Sequence, residues 1–501
     1  MQATASDKEG SAASLGDMPA EEFRRYGHQL VDWVADFLGN LDTTPVFPAV
    51  SPGELRDQLP LAPPLTGEAM STILADVDRL VMPAMAHWNH PRSFAYFNSS
   101  GSGPGILGEL LSAAFNVNSM LWQSCPAATE LEQVTLDWVR QMVGLPAEFW
   151  GVIYDGGSSS TMHALAAARE QIAEADIRDF GLAGRPELPR LRLYTSEHGH
   201  SSIDKAAATL GLGLQSVRRV AVDETYRLKP HALLEAIRED RRAGFWPFCV
   251  VATVGTTSCT SVDPLPDVAD ICARERLWLH VDAAHGGAAA ILPEQAALFA
   301  GWEQADSIVI NPHKWMFVPL DLSVLFTRRR DVLRRAFNLT PEYLKTAQEG
   351  SVENYMDYGI PLGRRFRALK LWFVLRYFGV NGLADRIREH LRLAQQFAQQ
   401  VDAHPAFERL APVPLSTVCF RAHPPGFDDE ADLNELNSAL LQAMNRTGQV
   451  FLSHTKLNER FVLRLVISQI RTQETQVQEV WQLAQAALRS LLANDVTGSG
   501  C

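Results

Sequence analysis

From about residue 150 the chain alternates short apolar runs with longer segments of helical spacing. WGVIY, LRLYTS, CVVATV, LWLHVD and DSIVI each read as a strand, and each leads into a turn and a helix, the first of these over 159–176. Strands alternating with helices predict a parallel sheet with crossover connections. The flanks differ. Phe23, Tyr26, Leu30, Val34 and Phe37 recur at helical spacing, so 19–38 reads as a helix with one apolar stripe. TTPVFPAVSPGELRDQLPLAPPLTG follows; its six prolines predict neither a helix nor a central strand. A second helix is expected over 67–85. Beyond 362, LKLWFVLRYFGVNGLADRIREHLRLAQQFAQQV reads as one long helix, 415–420 and 461–468 as strands, and 473–493 as a terminal helix.

The organisation expected is therefore a loose start (1–18), a helical and extended N-terminal segment (19–102), a large α/β domain with a mostly parallel sheet (103–383), and a small α+β domain (384–495). The closing VTGSGC reads as equally loose.

Composition narrows the function classes. Of the 501 residues, 46% are apolar and 21% charged, as in an ordered globular chain. A net charge of −13 without a large Lys/Arg cluster argues against nucleic acid as partner. No apolar run reaches the ~18 residues of a membrane span, and the first residues lack the basic-then-apolar order of a secretory signal. The six cysteines form no C-x-x-C pair, so neither a zinc site nor a disulfide framework is expected. Free thiols suit a reducing, cytoplasmic setting.

The strand-end positions carry the chemistry. In α/β sheets of this kind ligands bind outside the carboxyl ends of the strands. Gly156, Gly157, Ser158, His200, Thr257, Asp282 and Lys314 all fall just past such ends. Singly each has a plainer explanation: a surface lysine, a capping aspartate, a partly exposed histidine, an ordinary strand–helix turn. Together they suit pyridoxal phosphate. A lysine amine condenses with its aldehyde, a carboxylate keeps its ring nitrogen protonated, and a Gly/Ser turn opening a helix offers N–H donors to its phosphate. Spacing alone leaves a nucleotide-binding enzyme in play.

VDAAHGG and NPHKW, with GTTSCTSVD before them and PLGRRFRALKLWFVLRYFGV after, resemble the group II pyridoxal-phosphate decarboxylases, and among these the aromatic L-amino acid decarboxylases. PGELR, HWNHPRSFAYF (87–97), CPAATELE (125–132) and RFVLRLVIS (460–468) extend the resemblance over nearly the whole chain. It implies pyridoxal-phosphate fold type I, like aspartate aminotransferase, and a homodimer with active sites at the interface. It implies a Schiff base on Lys314, Asp282 on the ring nitrogen, Ala284 beneath the ring and His200 stacked above it. Gly157, Ser158, Asn311 and His313 would hold the phosphate, with Thr257 beside the ring. The polar stretch 344–360 would be a mobile lid, with Tyr355 as proton donor. Trp88, Tyr96 and Phe97 match substrate-pocket positions. Asn98, Asn118 and Met120 depart from the animal enzymes and point to a more polar pocket. The activity implied is decarboxylation of aromatic L-amino acids to amines. An aldehyde synthase or an aminotransferase on the same scaffold, or a non-catalytic protein that kept the fold, are the rival readings. Tyr355 and His200 speak against the aldehyde synthase.

Overall fold

The computed structural model describes residues 16–339 and 350–498, with side chains up to residue 493. The expected loose ends, and 344–349 of the expected lid, fall largely or wholly outside these. The chain forms two compact units, the first ending at Ala86 and the second beginning at His87.

The first unit holds helices α1 (Ala20–Asn40), α2 (Glu54–Gln58) and α3 (Met70–Asp76). Helix α2 sits inside the proline-rich connector, where no helix was expected. The prolines flank ELRDQ rather than interrupt it, and the Ser51 N–H donates to the Glu54 carboxylate at 2.9 Å to start the turn.

The second unit opens with α4 (Gly103–Phe115) and α5 (Pro126–Met142). Then come β1 (Trp150–Tyr154), α6 (Gly157–Glu170), α7 (Ile177–Phe180), β2 (Leu191–Ser196), α8 (Ser202–Thr209), β3 (Val217–Val220) and α9 (Pro230–Arg242). Next are β4 (Trp246–Thr253), α10 (Leu265–Glu275), β5 (Trp278–Asp282), β6 (Ser307–Ile310), α11 (Pro312–Trp315), β7 (Ser323–Thr327) and α12 (Arg330–Phe337). The chain closes with α13 (Ala368–Ala403), β8 (Phe407–Arg409), β9 (Thr417–Ala422), α14 (Glu430–Arg446), β10 (Ser453–Leu457), β11 (Arg460–Val466) and α15 (Glu474–Gly498).

Seven strands form one sheet in the order β1-β7-β6-β5-β4-β2-β3, parallel except for β7, which runs antiparallel to both neighbours. The middle strands β4 to β6 are buried on both faces, which is why they read as unbroken apolar runs. Register sets Thr253 of β4 beside Asp282 of β5, and Asp282 beside Val309 of β6. Three strands thus end level. The smaller antiparallel sheet, β10-β11-β9-β8, is covered by α13, α14 and α15.

Several elements escape the sequence pattern. VRRV is an edge strand with only its last residue buried. Helix α6 stops at Glu170, not 176. Gly379 (φ 66°) breaks α13, a backbone state that glycine reaches without strain. Residues 87–102 belong with the second unit: the Phe94 N–H donates to Phe451 O (2.9 Å) and the Val466 N–H to Phe94 O (3.0 Å).

Candidate active site

Strand β6 ends at Ile310, and the chain turns at Asn311 into the single turn of α11. The Asn311 N–H donates to Ala284 O at 3.0 Å, so the turn after β6 lies against the turn after β5. This carries Lys314 to the floor of a cavity of about 480 Å³ at the carboxyl edge of the sheet. Among the described residues its ammonium makes no hydrogen bond or ion pair; the ring of Phe97 lies 5.4 Å away. Burial lowers its pKa, and Asp282 opposes that shift. An amine so placed is ready to be a nucleophile.

Asp282, the last residue of β5, is buried on the same wall, and one of its oxygens accepts the Ala284 N–H at 3.1 Å. His200 lies beyond β2. Its Nδ1 accepts the Ser202 N–H at 3.1 Å, so the neutral ring carries its proton on Nε2. Burial lowers its pKa; the nearby Lys314 lowers it further, and Asp282 resists.

The turn that opens α6, also on this cavity, suits an anion. Helix α6 opens at Gly157 with no side-chain cap, and the first intrahelical bond is Ser160 N–H to Gly156 O. The N–H groups of Gly157, Ser158 and Ser159 precede it and find no acceptor within the helix. A Cβ on Gly157 would lie 2.7 Å from Asn311 Nδ2, so only glycine permits this approach. The Ser323 hydroxyl donates to Asn311 Oδ1 at 2.6 Å and sits 2.7 Å from Ser160 Oγ, which turns the Asn311 NH2 toward Gly157. His313 Nδ1 accepts the Leu322 N–H at 2.9 Å, leaving Nε2–H as a donor; burial holds its pKa at about 3. Thr253 Oγ1, also on the wall, is buried without a partner.

The structure brings together Gly156, Gly157, Ser158, His200, Thr257, Asp282, Ala284, Asn311, His313 and Lys314 on one cavity. A lysine, a carboxylate and a set of N–H donors on one cavity fit pyridoxal phosphate: aldehyde, ring nitrogen and phosphate each find a matching group.

Of the six substrate-pocket residues expected, Phe97 alone lines this cavity. Trp88 stacks on Tyr96 (6.0 Å), and Tyr96 meets Phe451 edge-on. Asn98 is buried, donating to Ser93 O (2.9 Å) and accepting from the Ser468 hydroxyl (2.6 Å), so its amide ties its own segment to Ser468 beyond β11. Asn118 accepts the Arg364 N–H (3.0 Å), and Met120 O accepts the Met356 N–H (3.1 Å).

The structure does not bring Tyr355 to this cavity. It is 2% exposed, stacked on Trp150 at the amino end of β1 and covered by the Arg364 guanidinium at 4.6 Å. Its hydroxyl meets no partner and it does not line the cavity. As placed, it is a core residue.

The sequence reading missed His285. This ring lies between Phe97 (3.9 Å, 7°) and Trp315 (4.8 Å, 3°), on the cavity wall. Its place in AAHGG, just past a strand end, was the available signal.

A family profile described as the pyridoxal-dependent decarboxylase conserved domain matches residues 52–423. Tryptophan decarboxylase 2 of Oryza sativa subsp. japonica is 39% identical over 497 residues, 97% of this chain and 98% of that protein. Phenylacetaldehyde synthase of Arabidopsis thaliana is 39% identical over 493 residues, 96% and 99% of the two chains. The crystal structure of Oryza sativa TDC with PLP and tryptamine superposes with a TM-score of 0.91 at 36% identity, covering 95% of this chain and 100% of that one.

Proposed function

The chain belongs to the pyridoxal-dependent decarboxylase family, and from that premise we propose that it converts aromatic L-amino acids to the corresponding amines and CO2. The observation that carries the reading is the shared cavity: the Lys314 amine, without a hydrogen bond or ion pair among the described residues, lines it together with the Asp282 carboxylate and the donors of Gly157, Ser158 and His313. The architecture is that of fold type I.

Pyridoxal phosphate, when bound, supplies an aldehyde for an amine and a ring that accepts the electron pair left by departing CO2. The chain's own residues do the rest. Lys314 would hold the cofactor and yield its place to the substrate amine. Asp282 would keep a proton on the ring nitrogen, stabilising charge as it develops there. The N–H groups opening α6, with Asn311 and His313, would fix the phosphate. His200 and Ala284 would bracket the ring, with Thr257 at its edge. Phe97 offers apolar surface to an aromatic side chain. As CO2 leaves, Cα retains the bonding pair and takes up one proton.

A homodimer is part of this proposal. Leu107, Leu110, Leu111 and Phe115 leave an apolar face of α4 exposed, and Tyr377 (73%) and Val380 of α13 are exposed as well. Contiguous apolar surface of this kind marks an interface. Trp88 and Tyr96 are exposed too and remain candidates for substrate contact in the assembled dimer. Cys249, Cys259, Cys272 and Cys419 are buried free thiols, which suits the cytoplasm; no described helix is long and apolar enough to cross a membrane.

One observation keeps an aldehyde synthase in view: with Tyr355 in the core, that side chain no longer argues against it. Product analysis decides. Trp, Tyr, Phe, dihydroxyphenylalanine, His and Glu are supplied in turn, and amine, CO2, aldehyde and peroxide are measured. Amine and CO2 from the aromatic acids support the proposal; aldehyde with peroxide, or a keto acid that appears only with an acceptor, overturns it.

A further inference from the structure

His163 lies in the second turn of α6, outside the cavity, and no role above uses it. Its Nδ1–H donates to Ser159 O at 2.7 Å, and its Nε2 accepts the Ile360 N–H at 3.1 Å. Its ring stacks on Tyr154 (4.1 Å, 15°) and packs against Phe337 (4.7 Å). Two of these partners, Phe337 and Ile360, are separated by 22 residues in sequence. Phe337 is the last residue of α12; Ile360 is where the chain meets α6 again, ahead of α13. Ser159 belongs to the other partner, the anion-binding turn of α6, and lines the cavity. One imidazole therefore joins the turn that would hold the phosphate to both ends of the stretch 338–359.

Only one protonation state makes both bonds. Nδ1 must carry a proton and Nε2 must not; a second proton would set two donors against each other. Burial enforces this by lowering the pKa to about 4. Gly359 fits the same joint: a Cβ there would lie 2.9 Å from His163 Nε2 and 3.1 Å from the Tyr154 ring.

We propose that His163 is a positioning residue, a neutral-imidazole clasp that fixes the first turn of α6 to Gly359-Ile360 and so holds the phosphate donors in place. This rests on the reading of the cavity as a pyridoxal-phosphate site. A histidine that merely fills the core would tolerate any ring of similar size. The clasp instead requires a donor and an acceptor at the ring's two nitrogens.

The test uses the full-length holoenzyme. His163→Phe keeps the stacked ring and loses both bonds; His163→Gln can donate to Ser159 O and accept from Ile360 without titrating. Gly359→Ala leaves His163 intact and displaces its partner. The readouts are the dissociation constant for pyridoxal phosphate and backbone hydrogen exchange. For His163→Phe and Gly359→Ala we expect cofactor affinity to fall about tenfold, the scale of one stranded buried partner. Exchange should quicken together at 157–160 and 359–360, with β4 and β5 unchanged. His163→Gln should restore both readouts toward wild type. Wild-type affinity and exchange in His163→Phe overturn the inference, as does His163→Gln failing equally. If the wild-type protein itself binds no pyridoxal phosphate, the functional reading fails, while the paired exchange still tests the clasp.

Discussion

Tyr355 stacks on Trp150 with ring centroids 5.8 Å apart, at the amino end of the strand whose carboxyl end opens onto the cavity. The length of β1 separates this tyrosine from the chemistry. Its hydroxyl is buried without a partner, so removing it strands nothing. Tyr355→Phe is expected to keep amine production within about twofold of wild type and leave Tm unchanged or slightly raised. Tyr358 is likewise buried. If a tyrosine of this region returns the proton, Tyr343, outside the described residues, is the one left. Amine yield collapsing in Tyr355→Phe but not in Tyr343→Phe would reverse this assignment.

The site's skeleton was legible because buried parallel strands announce themselves. IVI and LHV admit few polar residues, so Asp282 and Lys314 stand out where the strands stop. Gly157 and His313 followed from the same strand-end logic joined to motif resemblance. SVENYMDYG reads as a surface lid because it is polar by composition, yet Arg330, Arg334 and Arg364 pin it inward through Glu353, Asp357 and the Tyr355 ring. Asn98 was expected in the pocket because it departs from the animal enzymes, but its side chain is taken up by Ser93 O and the Ser468 hydroxyl. Nothing local in VRRV shows that it would pair with β2, since an edge strand gains its place from its neighbour alone.

Asp282→Asn separates binding from chemistry. The substitution keeps the shape and weakens only the hold on a ring proton. Cofactor should remain bound by the phosphate donors and Lys314, while kcat falls about 10²- to 10³-fold, as when one fixed electrostatic partner is removed. Absorbance of the bound cofactor checks the first point and steady-state kinetics the second. Unchanged kcat would remove Asp282 from the mechanism.

Glu132 and Arg364 form a buried ion pair at 2.7 Å, and both reach β1: the Ile153 N–H donates to Glu132 (3.0 Å) and Arg364 donates to Ile153 O (2.9 Å). Breaking such a pair strands a buried charge, which costs about 3–5 kcal/mol. Glu132→Ala should therefore destabilise by that amount in denaturant titration. Replacing both partners with apolar residues should recover much of it. If the double variant is as unstable as the single one, the backbone contacts outweigh the charge pairing.

The exposed apolar face of α4 predicts the oligomeric state. Sedimentation of the wild type is expected to give a dimer, and Leu107→Glu combined with Leu110→Glu a monomer, since each added carboxylate resists desolvation at a closing interface. A wild-type monomer would withdraw the dimer from the proposal.

Acid should unfold this protein early, through buried histidines. His163, His280 and His390 are held at a pKa of about 4 and His313 at about 3, in each case chiefly by burial. In an unfolded chain each would titrate near 6.5. Between pH 6.5 and about 4 the unfolded state therefore binds more protons than the folded one, and stability rises with pH across that window. The stabilisation is complete above about pH 6.5 and is lost as pH falls toward the folded values, up to about 3 kcal/mol per histidine. Asp263 acts in the opposite sense: burial raises its pKa to about 6, so its protonation favours the folded state as pH drops and offsets about one of the four. The three remaining exceed much of the roughly 5–15 kcal/mol typical of a folded domain. Urea titrations at pH 7.5, 6.0 and 5.0 should show a steep fall in unfolding free energy, and each His→Gln replacement that preserves the fold should flatten it. Equal stability at pH 7.5 and 5.0 would mean that these rings become charged without unfolding, contrary to the sealed environments that surround them.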